Sequence, residues 1–455
     1  MPAEQIRFIH AANLRLDAPL QDAGPLPGDL QTIIQSATLT AWKRLVEACL
    51  NLDVDFLLLA GDCFDEDDPG LRGQAALVSG CEQLNTAGIP VFIVPGLRDP
   101  LAAWLPGMRL PNNVSRLDQP GVEIVEISGD DADLATLHGV NCPTAFQSTD
   151  WTTWFDQQLI STQAATASDA PHVVLMPFGL AGINASDDFT LTRERLLKWI
   201  DRRGISAAVR YWAGGHNTDR ITLQIDDAVA HCPGSPQGLS PAETGPRGAT
   251  LVEIDALGAV RLNLIPTAPV RWEHCSVRVD ENFTSDDLLL SMRSALRDRV
   301  HHTSDRMWLI DWTVNLPQSI RKQFVDEPHE HSLRAQLLAN SGIDGVPVWS
   351  RRFRWVETDA RVDTESAASD SPTPLELHHD RDIPLAGEYH RIVAATIRQP
   401  HWLPRRLGES PLHGGPWGPR LAQLVNELNA ADIAADTHQL GDELFPATSW
   451  NGSPR

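Results

Sequence analysis

Lysine is nearly missing from this chain of 455 residues: Lys43, Lys198 and Lys322 are the only three among its 37 basic side chains. Arginine is the default cation, so a single arginine carries little information by itself. Basic residues are also outnumbered by 60 acidic ones, for a formal charge of −23. That excludes a histone-like or basic-tail protein whose grip on nucleic acid comes from bulk charge, and any DNA contact has to come from a local patch. Six cysteines, Cys49, Cys63, Cys81, Cys142, Cys232 and Cys275, lie far apart without a C-x-x-C pair. The spacing fits neither a zinc knuckle nor a dense disulfide framework, and points to a reducing cytoplasm. No apolar run nears the ~20 residues that cross a bilayer. Met1-Pro2-Ala3-Glu4-Gln5 has no basic n-region or apolar h-region, so neither secretion nor a membrane partner is expected.

What remains is an ordinary globular mixture, 42% apolar and 21% charged, long enough for two or three domains. The first third alternates buried strands with amphipathic helices. Ile6–Ala11, Phe56–Ala60 and Val91–Val94 read as strands, while Trp42, Leu45, Val46, Cys49 and Leu50 fall at helical spacing. A helix is expected over 71–87. The pattern continues with strands at Val173–Met176, Val209–Trp212 and Ala249–Ile254 and a helix over 193–202. Beyond Pro266–Arg271 the organisation changes: helices are expected over 285–299 and 331–340, and a strand at Trp308–Val314. Residues 357–387 are acidic and read as a solvated linker. A tail, 388–455, carries Leu421, Leu424, Val425 and Leu428 on one helical face, suited to a partner or to its own domain.

Polar clusters follow the strands. They are His10-Ala11-Ala12-Asn13-Leu14-Arg15-Leu16-Asp17, Gly61-Asp62-Cys63-Phe64-Asp65, Gly96-Leu97-Arg98-Asp99-Pro100, then Pro177, and Gly215-His216-Asn217-Thr218. In open α/β sheets, ligands gather at that edge. This series resembles the calcineurin-like metallophosphoesterases. The stretches FIHAANLRLDAPL (8–20) and PGSPQGLSPAETGPRG (233–248) narrow the resemblance to repair exonucleases of the SbcD and YhaO type. The resemblance implies an α/β sandwich over 1–270, a smaller capping-type α/β module over 271–356, and two divalent ions such as Mn²⁺ clamping a phosphate. It also implies work beside a coiled-coil ATPase of the SbcC or YhaN kind, and often pairing as a homodimer.

Against the family pattern D-x-H, G-D-x-x-D, G-N-H-D, lone His and G-H-x-H, this chain departs at most ligand positions. Asn13 and Arg15 replace Asp and His. Leu97 replaces the ligand Asn, Arg98 the catalytic His, Pro177 the lone His and Thr218 the last His. Asp62 and His216 keep their type, with Asp65 and Asp99 as supporting acids. Guanidinium has no free lone pair to offer a metal. No intact catalytic set and no resident cofactor are therefore expected, and the chain reads as a degenerate phosphoesterase homologue that binds DNA or partners an ATPase. Two rival readings are an active metal-dependent exonuclease with atypical ligands and a scaffold that never meets nucleic acid. Asp62 either remains a remnant metal ligand with His216 or pairs with Arg15 or Arg98. Those arginines either grip a phosphate or neutralise Asp62 and Asp99. His138, His301, His302, His378 and His379 look scattered or exposed and are given no ligand role.

Overall fold

The computed structural model describes residues 5–65, 70–100, 103–105, 107–129, 133–141, 170–181, 190–194, 196, 209–297, 299, 304–325, 327–339 and 345–358. All lie in one compact unit, Met1–Asp363. Cys142, His301, His302, His378, His379, the tail helix, and most of the linker and of the 193–202 helix fall outside the described residues.

Two six-stranded sheets stack face to face. The first runs β14 (Val260–Pro266), β13 (Gly248–Ile254), β1 (Ile6–Ala11), β2 (Phe56–Ala60), β3 (Val91–Val94), β4 (Val114–Arg116), strands being numbered in chain order. The second runs β11 (Ile221–Ile225), β12 (Ala228–Cys232), β10 (Val209–Ala213), β7 (His172–Leu175), β6 (Asp133–Asn141), β5 (Gly121–Ser128). A small ribbon, β8 (Gly179–Ala181) with β9 (Thr190–Thr192), lies beside the second. The first sheet is parallel from β1 through β4, with β13 antiparallel to β1 and β14 to β13; the second is parallel from β12 through β6, with antiparallel β11 and β5 at its two edges. This is the α/β sandwich that the resemblance implies.

The patterning explains the layers. β2, Phe-Leu-Leu-Leu-Ala, is buried at every position because both faces of a central parallel strand are covered. Phe56 and Leu58 face the second sheet with Phe8 and Tyr211, whereas Leu57 and Leu59 meet the helices. Those helices are α2 (Ala37–Asn51), with the expected apolar stripe, and α3 (Leu71–Thr86); α1 (Gly28–Gln35) precedes them. Trp42 on α2 donates its indole N–H to the Ala76 carbonyl at 2.8 Å. Gly80 permits that approach, since a Cβ there would come within 2.6 Å of the indole ring. The five described cysteines are free and buried.

Residues 270–358 build a separate parallel sheet, β15 (Val270–Arg278), β16 (Met307–Pro317) and β17 (Val348–Thr358), with helices α4 (Ser285–Arg297) and α5 (Glu327–Ala339). Sequence periodicity places β16, α4 and α5 within a few residues; it does not anticipate the strands β15 and β17 on either side of β16. One correction concerns the acidic linker: Glu357 and Thr358 still pair with Leu316 and Pro317, so the strand outlasts the point where composition turns polar. Arg44 on α2 ties this sheet to the sandwich by donating to the carbonyls of Thr267 and Ser304 at 3.0 and 2.5 Å.

Candidate functional site

All five polar clusters meet at one edge of the sandwich, and the backbone is bent to bring them there. After β1 the chain visits positive φ at alternate residues, Asn13 (52°), Arg15 (40°) and Asp17 (68°). Leu14 and Leu16 therefore turn into the core, at 3% and 1% exposure, while Asn13 and Arg15 stay at the edge. Non-glycine residues resist this region by about 1–2 kcal/mol each. Three ladder-like bonds hold it: the N–H groups of Asn13, Arg15 and Leu16 donate to the carbonyls of Gly61, Asp62 and Cys63. Asp62 and His216 also have positive φ, 56° and 59°. Five of the eight non-glycine residues with positive φ among the described residues thus gather at this edge, and that concentration of strain marks it as the candidate site.

Asp99 holds the edge together. It is fully buried, and its carboxylate accepts the backbone N–H groups of Asp62, Cys63 and Gly96 at 2.9, 2.9 and 2.6 Å. Burial and the Asp62 charge beside it push its carboxyl up, against the downward pull of those three donors. Asp62 is 1% exposed; its Oδ1 accepts the Arg98 backbone N–H at 2.8 Å, and its buried Oδ2 accepts no hydrogen bond among the described residues. Burial raises its carboxyl too, opposed by the Arg98 amide and by the charges of His216, Arg98 and Arg15.

Two expected pairings are corrected. Arg15 does not pair with Asp62. Its Nε and Nη2 fork onto Asp65 at 2.9–3.1 Å, because Asp65 follows three residues later on the same turn and is half-exposed rather than buried. Asp99 is satisfied by amides, not by an arginine. The Arg98 side chain is exposed and makes no ion pair among the described residues; only its backbone touches Asp62.

The remaining positions converge on the same place. Asn13 donates its amide to the Asn217 carbonyl at 2.7 Å, which ties the β1 and β10 loops. Pro177 is buried against Gly61, 3.3 Å from where a Cβ would sit. Leu97 is half-buried on the β3 loop, and Thr218 uses its carbonyl to accept from Ser235 and Arg247. Asn217 and Arg247 were not singled out in the sequence. Asn217 accepts the Leu180 N–H at 2.6 Å, and Arg247 clamps Asp219 at 2.7 Å. Arg247 does lie within the diagnostic 233–248 stretch, which packs under the His216 loop. Among the described residues, no three of His, Cys, Asp and Glu gather closely enough to share an ion.

Glycines let the strand ends touch. A Cβ on Gly215 would lie 1.9 Å from the Ala60 carbonyl oxygen, and one on Gly96 2.2 Å from Asp62 Oδ1. Gly215→Ala is expected to cost roughly 3 kcal/mol, since backbone must move to admit the methyl. Urea unfolding checks this, and wild-type stability would mean that the two strand ends are not in contact.

Behind the edge, between the sheets, lie buried histidines. His10 shares a hydrogen bond with the Tyr211 hydroxyl at 2.8 Å, and His231 joins Thr222 and Thr250, each at 2.8 Å. Burial lowers His10 well below the usual imidazole range and His231 to about 3. His138 is corrected from its exposed reading: it is 2% exposed on the outer face of β6, the face of Val140 and not the one between the sheets, 3.1 Å from His172. Burial, then the neighbouring His172, brings it down to about 4.

No family model matches the chain. It is 28% identical over 338 residues to the "Uncharacterized metallophosphoesterase YhaO" of Bacillus subtilis (strain 168), covering 71% of this chain and 78% of that protein. This supports a place in the metallophosphoesterase superfamily. Among solved structures, a dimetal phosphatase from Danio rerio shares 11% identity at a TM-score of 0.38, over 59% of this chain and all of the other. A putative 5'-nucleotidase from Staphylococcus aureus shares 14% at 0.35, over 64% of this chain and 58% of its own.

Proposed function

We propose that this protein is a metallophosphoesterase homologue that no longer performs two-metal hydrolysis and instead binds the phosphates of DNA, in company with a coiled-coil ATPase. The observation that carries this reading is the Arg15–Asp65 fork, a closed ion pair at a position where the family needs a metal-ligating histidine. Only Asn13, Asp62, His216 and Thr218 keep a side-chain donor atom among the seven ligand positions; Arg15, Leu97 and Pro177 have none to give. Such a set does not fit two dications 3.5–4 Å apart, which need a bridging carboxylate and further ligands on each side. A guanidinium 4 Å from even a unit positive charge costs on the order of 4 kcal/mol near a protein surface. For phosphate, Arg98 is the favoured anchor: its side chain is exposed while its backbone is fixed to Asp62. Arg15 already spends its fork on Asp65.

Manganese titration by calorimetry, with bis(p-nitrophenyl) phosphate turnover, tests the hydrolytic side. No uptake of two equivalents and no metal-dependent turnover are expected. Two bound ions with turnover abolished in Asp62→Ala would return the protein to the working hydrolases. A 5'-phosphorylated oligonucleotide is expected to bind and to lose about tenfold in Arg98→Ala, the size of one good charged contact. Unchanged binding in that variant removes the phosphate role of the edge.

A further inference from the structure

The sheet β15–β16–β17 is covered on one side only in part. In a parallel pair, residues in register share a face. Cys275, Trp312 and Phe353 therefore point one way, onto the core beneath α4 and α5. His274, Asp311 and Arg352 point the other way. The lower half of that second face, Trp272, Leu309 and Trp349, is sealed by Leu20, Ala23 and α1. The upper half is open. It presents His274, Ser276 and Arg278 from β15, Thr313 and Asn315 from β16, and Arg352 and Arg354 from β17.

The charge of this half-face opposes that of the chain. Among the described strand residues of this half-face Asp311 is the only carboxylate, and Arg351, which bulges out of the β17 register, forks onto both Asp311 oxygens. Arg352 and Arg354 are exposed and make no ion pair among the described residues. We propose that the open half of this sheet binds the phosphate backbone of a nucleic acid duplex. Guanidinium forks match phosphate bidentately, and the hydroxyls of Ser276 and Thr313 are donors that position a backbone, the Asn315 amide holding the Ser276 oxygen in place at 3.0 Å. Same-face side chains recur every ~6.6 Å along a strand, so the cations form a row and not a point. An acidic protein is the weaker fit. Protein interfaces bind through large apolar anchors at their centre, and among the described residues this half-face offers only Val356 and, at its end, Pro317. The rings that could stack on bases are turned away: Trp312 donates to Ser350 and Trp355 to Glu330 on α5. Contact is therefore blind to sequence. This surface extends the DNA-binding reading to a second place and does not depend on Arg98.

Fluorescence anisotropy with a 30-bp duplex, using the full chain from 50 to 200 mM KCl, tests it. The double variant Arg352→Ala/Arg354→Ala is expected to bind about tenfold more weakly at 50 mM salt. Its log K against log salt slope should flatten by about 2, one unit per lost phosphate contact, whatever the base sequence. Wild-type affinity and slope in that variant overturn the inference, and so does tighter binding of poly-glutamate than of duplex at matched salt. Arg98→Ala, measured alongside, separates the two sites: loss there with no effect of the double variant leaves the edge reading standing and this one refuted. Unchanged circular dichroism and melting temperature confirm that the double variant is folded, as expected for two exposed side chains.

Discussion

Asp99→Ala is expected to lose about 3–6 kcal/mol of stability, a large share of what holds a domain of this size folded. The change leaves three backbone N–H groups without an acceptor, those of Asp62 and Cys63 buried and that of Gly96 part-buried. Each buried orphan costs about 1–3 kcal/mol, because neither water nor another carbonyl can reach it. Asp99→Asn keeps one oxygen for Asp62 and Gly96 and turns an amide toward the Cys63 N–H, so its loss should be about half as large. Urea denaturation of both variants orders them. An alanine variant within about 1 kcal/mol of wild type would mean that the β2 and β3 loops are held by something other than this carboxylate.

The second large effect is acid destabilisation. His138 and His231 are held neutral, at about 4 and about 3 against an ordinary 6.5. Between those values and 6.5 the unfolded chain binds protons that the folded chain refuses, so stability falls as pH drops through that window. At pH 5 the two together should cost about 4 kcal/mol relative to pH 7. His10 adds to the loss in the same direction. Asp62 and Asp99, both raised, act oppositely, since their protonated forms are favoured in the fold. His138→Gln isolates one contribution and should remove about 2 kcal/mol of the pH dependence. Equal urea midpoints for wild type at pH 7 and 5 would contradict the neutral histidine core.

The edge was legible in the sequence because its residues sit in local clusters at strand ends, where a glycine or a change from apolar to polar marks the stop. The buried strands β2 and β3 announced themselves as unbroken apolar runs, and β1 as one interrupted by Arg7 and His10. Strands β5, β11 and β14 did not, although Val122-Glu123-Ile124 and Ile221-Thr222-Leu223 alternate as one-sided strands do. What the sequence could not supply was pairing. Arg15 chose Asp65 over Asp62 because Asp62 is buried under Arg98's amide, a fact of burial and backbone geometry that spacing alone does not encode. His138 looked solitary for the same reason: its partner His172 lies 34 residues away, on the neighbouring strand.

The Arg44 guanidinium reaches across from α2 to two carbonyls beside the smaller sheet, while Trp272 and Leu309 are sunk into the apolar seat next to it. A polar strut and an apolar socket join the two parts at separate points, so any swing of the smaller sheet has to break both at once.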